Sequence, residues 1–362
     1  MDFSLTSEQE ALKDSVSRFC ERDYSFELRR KIVAAQPAER PNHWAVFAEL
    51  GWLGAGLSED KGGFGGGPIE NFVIAEQLGR ALALEPFSGH VLALQALAAG
   101  GAPSDLIEAA ISGETRIALA HLEAEGRGAE GAVTTRAEGD ALSGAKVLIQ
   151  GGAQADQFLV SAQDKSGVSL FLVDASAKGV ERKIYRTLDN HLVCDLHLNG
   201  AAGTLIGNRD GALPAIEEAI DHGIVALCAE ALGAMDVALW MTRDYIKTRK
   251  QFGTTINNFQ ALQHRMADML IETELARSIL YQGLAALMQP DPAARRQGVA
   301  ATKALVAQCG LFVCGQAIQL HGGIGVTEEH SIGHFYKRLY VIAQLFGNAE
   351  IHKQRFMQAS AS

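Results

Sequence analysis

The sequence predicts a three-part α–β–α protein: a helical N-terminal domain over residues 1–115, a small antiparallel β-domain over 116–207 and a helical C-terminal domain over 208–362. Three observations carry this. Apolar residues first recur at helical spacing; short apolar runs cut by Gly, Asp, Asn and Ser follow; then a long stretch almost free of breakers resumes the helical period.

The first helix opens in "SLTSEQEALKDSVSRFCERDY", where Ser4 or Thr6 ahead of acidic residues makes a capping box. "NHWAVFAELGWLGAGL" is a second amphipathic run and "ENFVIAEQLGRALALE" a third. The glycine-dense "SEDKGGFGGGPIE" between them follows no strand and misses the GxGxxG spacing, so it is a turn and not a phosphate loop. In the middle third, "ALSGAKVLIQ", "DQFLVSAQ", "VSLFLVDA", "VERKIYRT" and "HLVCDLHLNG" have the length and punctuation of antiparallel strands. Residues 213–249 hold no proline after Pro214 and two isolated glycines. As one helix, rising about 1.5 Å per residue, they span on the order of 50 Å. A helix that long and apolar must bury more than one face, in bundle packing and subunit contact.

Composition excludes several classes. The net charge of −10 argues against a nucleic-acid groove, which needs a basic surface. No run of eighteen uncharged apolar residues appears, and "MDFSLTSEQE" is polar and acidic, unlike a signal peptide. Five cysteines form no CxxC pair, which suits reduced thiols. The expectation is a soluble cytoplasmic protein bound to neither membrane nor nucleic acid.

Two C-terminal stretches, "TRKQFGTTINNFQALQHRMADM" (248–269) and "QLHGGIGVTEEHSIGHFYKRL" (319–339), resemble signatures of the acyl-CoA dehydrogenase family. The N-terminal "LTSEQEALKDSVSRF" and "AELGWLGAGLSEDKGGFGGG" resemble that family's opening helices. The resemblance covers nearly the whole chain and is weakest in the middle third. It implies the acyl-CoA dehydrogenase fold: an α-helical N-terminal domain, a small antiparallel β-domain and a C-terminal four-helix bundle. It also implies FAD, an acyl-CoA substrate, electron-transfer flavoprotein as acceptor, and a dimer-of-dimers assembly.

The cofactor expectations follow residue by residue. A dinucleotide's pyrophosphate is a dianion best met by a guanidinium fork, and Arg249 stands where the family places that group. With it go Gln251, Phe252, Phe259 and Gln260, a segment that in the family reaches the FAD of a neighbouring subunit. Gln319, His321, Gly322 and Gly323 are the second element; paired glycines let backbone approach a ligand closely, and a glutamine satisfies polar atoms of the adenosine half. His330 and His334 sit four apart, but no further ligand completes a metal site, so no metal is expected. Cys309 and Cys314 are expected as buried thiols, and Trp44, Trp52 and Trp240 as core.

The family's chemistry is α,β-dehydrogenation of an acyl-CoA thioester, for which a carboxylate removes the α-proton. Here Phe346, in "LFGN", occupies one family position for that base, and Gly223, counted back from Leu232-Gly233, the other. Glu350 lies one helical turn past Phe346, roughly 5–6 Å away, and Asp221 faces another side of its helix; neither replaces the base. The flavin-ring segment departs too: the family's Trp-Ile-Thr is Leu148, Ile149 and Gln150, and "LAHLEAEG" lacks a clear Tyr-x-x-Thr-Glu. Elements for the ring and the chemistry are degraded together, while those for a neighbour's ADP moiety survive.

Three readings stand at this stage. The first is a subunit without its own catalytic base, completing the FAD site of a paralogous partner, in an α2β2 assembly acting on unusual acyl groups such as steroid side chains. Within the family the chain particularly resembles the small-subunit type named for pimeloyl-CoA dehydrogenases. The second is a self-sufficient homo-oligomeric flavoenzyme with a relocated base. The third is a flavin-free scaffold on the same fold.

Overall fold

Helices occupy both ends of the chain and strands its middle in the computed structural model, which describes residues 4–36, 40, 43–125 and 133–361. Contacts divide the chain into two units, one of residues 1–34, 72–83 and 225–362, the other of residues 35–71 and 84–224.

In the first unit, α1 (Ser7–Asp23) starts at a capping box: Thr6 Oγ1 accepts from Gln9 N, and Gln9 Oε1 accepts from Thr6 N. Thr6, not Ser4, is the cap, and a glutamine closes the box. A further helix, α2 (Phe26–Ala34), was not anticipated from the sequence. Its buried Arg29 donates from Nε to the carbonyl of Leu82, which ends α4 (Pro68–Ala81) in the left-handed conformation (φ 53°).

The 213–249 stretch is one helix, α7 (Ala212–Thr248), whose 37 residues span roughly 55 Å at 1.5 Å each. It and the stretch Pro292–Val326 are long and apolar enough to cross a membrane by length and composition, yet 83% and 61% of their most apolar windows are buried inside the protein. The crossing of α4 and α7 explains the Leu-Gly pair on α7. A Cβ placed on Gly233 would lie 2.0 Å from Glu76 O, and one on Gly79 2.1 Å from Glu230 O, so backbones meet where side chains cannot fit.

Four more helices follow: α8 (Gln260–Leu287), α9 (Pro292–His321), α10 (Ser331–Gln344) and α11 (Ala349–Ala361). The central α9 packs against α8, α10 and α11. Buried charges are paired or bonded: Arg338 of α10 grips Glu230 of α7 with two bonds of 2.6 and 2.7 Å, and Lys303 of α9 donates to Ile342 O at 2.6 Å.

In the second unit, the run from Asn42 yields only a short helix, α3 (Trp44–Glu49), ended by Gly51 at φ 74°. The glycine-rich stretch is a turn, as read. A Cβ on Gly63 would fall 2.1 Å from Leu57 O, and one on Gly66 2.0 Å from Ala55 O. Helices α5 (Phe87–Ala99) and α6 (Ser104–Ile111) precede the strands.

The expected strands appear as β3 (Ala141–Gln150), β4 (Gln157–Gln163), β5 (Val168–Asp174), β6 (Val180–Arg186) and β7 (Leu192–Ala202). They join β1 (Ile117–Ala120), β2 (Arg136–Glu138) and β8 (Thr204–Ile206) in one eight-stranded sheet. The sheet is mixed and not purely antiparallel: β1 runs parallel to β4, with Ile117 opposite Gln157, and β2 touches β4 in parallel. Its core centres on Leu142, Phe158, Phe171 and Leu196, none of them exposed.

Of the three tryptophans expected in the core, Trp44 and Trp52 are buried, but Trp240 is 42% exposed. Its ring lies 4.6 Å beneath the Arg243 guanidinium, so a cation–π contact replaces core packing. Cys309 and Cys314 are buried, and burial pushes both thiols upward.

Candidate functional site

At its C-terminus α7 delivers Arg249, whose backbone N–H closes on Tyr245 O at 2.9 Å. A two-stranded hairpin follows at once, β9 (Lys250–Gln251) and β10 (Thr254–Thr255). Its two-residue turn is Phe252-Gly253, at φ 53° and 79°, the all-positive pattern of a type I′ turn. That slot suits Asn or Gly. Here it holds a phenylalanine that is 91% exposed and meets Phe259 edge-on at 6.0 Å. Arg249, Gln251 and Gln260 are exposed beside it, and among the described residues no side-chain hydrogen bond is recorded for Arg249.

The second element sits at the end of α9. Gly322 leaves the helix at φ 66°, and a Cβ on Gly322 or Gly323 would meet nothing within 4 Å. The peptide surface here is open. Gln319 is exposed, and so are Ile324 (45%) and Val326 (74%). His321, by contrast, is buried: its ring stacks on Tyr245 at 4.4 Å, and Nδ1 donates to Ala317 O at 2.8 Å. Burial lowers its pKa, and His330, 4.8 Å away, lowers it further. The two histidines weighed as a metal pair have other work. His330 Nδ1 accepts from Ile332 N at the start of α10, and His334 lies between Arg29 and the Glu328 carbonyl.

Neither position expected for the family's base carries an acid. Phe346 is 7% exposed at φ 57°, in a turn fixed from behind by bonds to its carbonyl from His352 Nε2 (3.0 Å) and Arg355 Nη1 (3.4 Å). Gly223 faces Leu92 of α5, and a Cβ placed there would lie 2.4 Å from Leu92 Cγ. Glu350 is engaged elsewhere, paired with Lys353 at 2.8 Å.

The stretch aligned with the flavin-ring segment is a bulge of β3. Leu148 takes φ 54°, its N–H donates to Asp195 Oδ1 at 3.0 Å, and Tyr185 donates to the same oxygen at 2.8 Å. Beneath it lies a fully satisfied polar hub. Lys146 Nζ donates to Glu123 Oε1 (2.6 Å) and Ser161 Oγ (2.9 Å), while Thr134 and Thr135 donate backbone and side-chain groups to the same carboxylate. Burial alone would raise Glu123, but the Lys146 and threonine donors outweigh it and hold it at about 2. Sequence reasoning passed over this hub because its members are single polar residues spread over forty positions. It also passed over Tyr245, whose helical spacing gives no sign of a partner on α9.

Comparison with known proteins now adds to this geometry. Residues 6–105 match the family model for the acyl-CoA dehydrogenase N-terminal domain, and residues 211–360 that for the C-terminal domain. Acyl-CoA dehydrogenase IpdE2 of Mycolicibacterium smegmatis is 30% identical over 344 residues, covering 95% of this chain and 96% of that protein. Acyl-CoA dehydrogenase FadE27 of Mycobacterium tuberculosis is also 30% identical, covering 93% and 92%. Among solved structures, the ChsE4–ChsE5 complex of Mycobacterium tuberculosis matches with a TM-score of 0.90 at 28% identity, over 100% of this chain and 99% of the other. This chain belongs to the acyl-CoA dehydrogenase family, whose members are FAD-dependent oxidoreductases.

FAD fits one half of this chain's inventory and not the other. At the positions expected to face the ADP half, a helix-end guanidinium, an exposed aromatic and an open glycine turn offer charge, an apolar face and close backbone approach. On the ring side, Leu148 offers no aromatic face. Gln150 presents an amide whose buried Nε2 has no partner among the described residues. Nothing at positions 223 or 346 moves a proton.

Proposed function

We propose that this chain is a subunit of an FAD-dependent acyl-CoA dehydrogenase that lacks its own base and completes the FAD site of a paralogous partner. The observation that carries this reading is Phe252, a large aromatic held 91% exposed in a turn position where φ is 53°. Backbone strain and an exposed aromatic together oppose stability in a lone chain, so both call for a partner surface. When bound, FAD accepts the β-hydrogen of an acyl-CoA thioester as hydride. Arg249 would neutralise its pyrophosphate, Phe252 and Phe259 would cover its apolar edge, and the Gln319–Gly323 segment would hold the adenosine half. The α-proton would go to a carboxylate of the partner, and electrons would pass on to an electron-transfer flavoprotein. We place the complex in the cytoplasm, where all five cysteines remain thiols.

A second reading, a self-sufficient flavoenzyme, is favoured by the unpartnered Gln150 amide, which offers one donor at the ring position. The visible spectrum of the purified chain, alone and with its partner, separates the two. Colour only in the complex is the expected result, and a yellow chain alone overturns it. Within the complex, Arg249→Ala removes a charge-assisted bond worth about 1.5–3 kcal/mol, so FAD affinity should fall roughly ten- to a hundredfold. Unchanged flavin occupancy would remove Arg249 from the site.

A further inference from the structure

The two cofactor-facing elements come from different helices, and one side chain ties them together. Tyr245 lies one turn before the end of α7, and its own carbonyl accepts from Arg249 N at 2.9 Å. Its hydroxyl crosses to α9 and donates to His321 O at 3.3 Å, while its ring stacks on the buried His321 imidazole at 4.4 Å and 22°. The carbonyl it reaches belongs to the His321–Gly322 peptide. The N–H of that same peptide donates to Ile318 O at the cap of α9. That peptide plane is therefore pinned from both sides, and it sets the direction in which Gly322 and Gly323 leave the helix.

We propose that Tyr245 is a positioning residue for the cofactor: it fixes the spacing between the Arg249 guanidinium and the Gly322–Gly323 turn without touching the ligand itself. The inference rests on the reading of Arg249 and this turn as the ADP-facing edge. The physical argument is one of tolerance. An arginine and a glycine turn that meet opposite ends of an ADP moiety must hold their separation within about half an ångström. Helix ends fray, and α7 runs directly into a short hairpin. Stacking on a ring that is 3% exposed gives that end a fixed reference on α9. His321, read from the sequence as a cofactor contact, becomes the seat of this strut.

The test measures FAD dissociation constants of the reconstituted two-subunit complex for Tyr245→Phe, Tyr245→Leu, Arg249→Ala and the double variant Tyr245→Leu/Arg249→Ala. Melting temperature and subunit mass are recorded in parallel. Tyr245→Phe keeps the stack and loses one neutral hydrogen bond, so affinity should fall about two- to tenfold. Tyr245→Leu should fall further, with assembly mass unchanged. In the double variant the two losses should not multiply, because a strut has nothing to position once the guanidinium is gone. Full multiplication of the two effects, or unchanged affinity in Tyr245→Leu while Arg249→Ala loses FAD, overturns the strut and leaves the ADP-edge reading intact. Unchanged affinity in all four overturns both.

Discussion

At the scale of single residues, the sequence leads to the expectation that positions 346 and 223 hold no base, and the structure places a buried phenylalanine at one and a glycine packed against Leu92 at the other. Phe346 and Gly223 were legible as candidates for the two base positions because each lies at a fixed offset from a recognisable pair or turn. Their surroundings were not, since burial and φ are tertiary properties. Phe346→Glu should yield no dehydrogenase turnover in this chain, because Leu148 and Gln150 still lack an aromatic face for a flavin ring. It should also destabilise the fold by about 3–5 kcal/mol, the range for losing a buried aromatic. Urea unfolding and an acyl-CoA oxidation assay check both halves, and turnover from this single change would show a site intact but for its base. Gly223→Glu meets Leu92 at once and should destabilise further through overpacking. Trp240 was misread for a related reason, and the burial of His321 could not be foreseen either. An apolar run does not say which of its members faces out, and a conspicuous motif does not say which of its side chains faces in.

Among the elements, α7 and the five longer strands were legible because their periodicity is uninterrupted over seven residues or more. The parallel β1 was not. Its four residues, "IALA", follow a helix and pair with a strand some forty positions later, a non-local contact that leaves no local mark. The polar hub under the β3 bulge was invisible for the same reason, although it joins β3, β4, the segment after β1 and the segment before β2. Its integrity is testable. Glu123→Gln leaves the Lys146 ammonium buried without its counter-charge, and breaking such a pair costs about 3–5 kcal/mol. Lys146→Met/Glu123→Gln, which removes both charges, should recover much of that loss. If the single and double variants unfold at the same denaturant concentration, the ion pair contributes nothing beyond its volume. In acid the hub weakens in a defined direction. Glu123 sits at about 2 when folded, against an ordinary value near 4.5, so its contribution is complete above about pH 4.5 and is lost as pH falls toward 2.

For the molecule as a whole, stability should also decline in mild acid. Burial holds His90 at about 4, and burial together with the Arg355 and Lys303 charges holds His352 at about 3. Between these values and the ordinary 6.5, the unfolded chain binds more protons than the folded one. Stability is therefore full above about pH 6.5 and falls by about 1.4 kcal/mol per pH unit for each histidine below it. Denaturation curves at pH 7 and pH 5 should differ accordingly, and His352→Gln should flatten the dependence; a pH-independent midpoint would contradict the assignment. The larger question is assembly. On the proposed reading, a chain with an ADP-facing edge and no base would need a complement with the opposite inventory: a paralogous acyl-CoA dehydrogenase subunit carrying the glutamate and an aromatic ring-binding segment. The FAD would then lie between the two chains. The most direct measurement is the native mass and flavin count of the purified assembly, with and without such a partner co-expressed. The account predicts an α2β2 species with one FAD for every two chains. A stable homotetramer of this chain alone, carrying one FAD per chain, would contradict it.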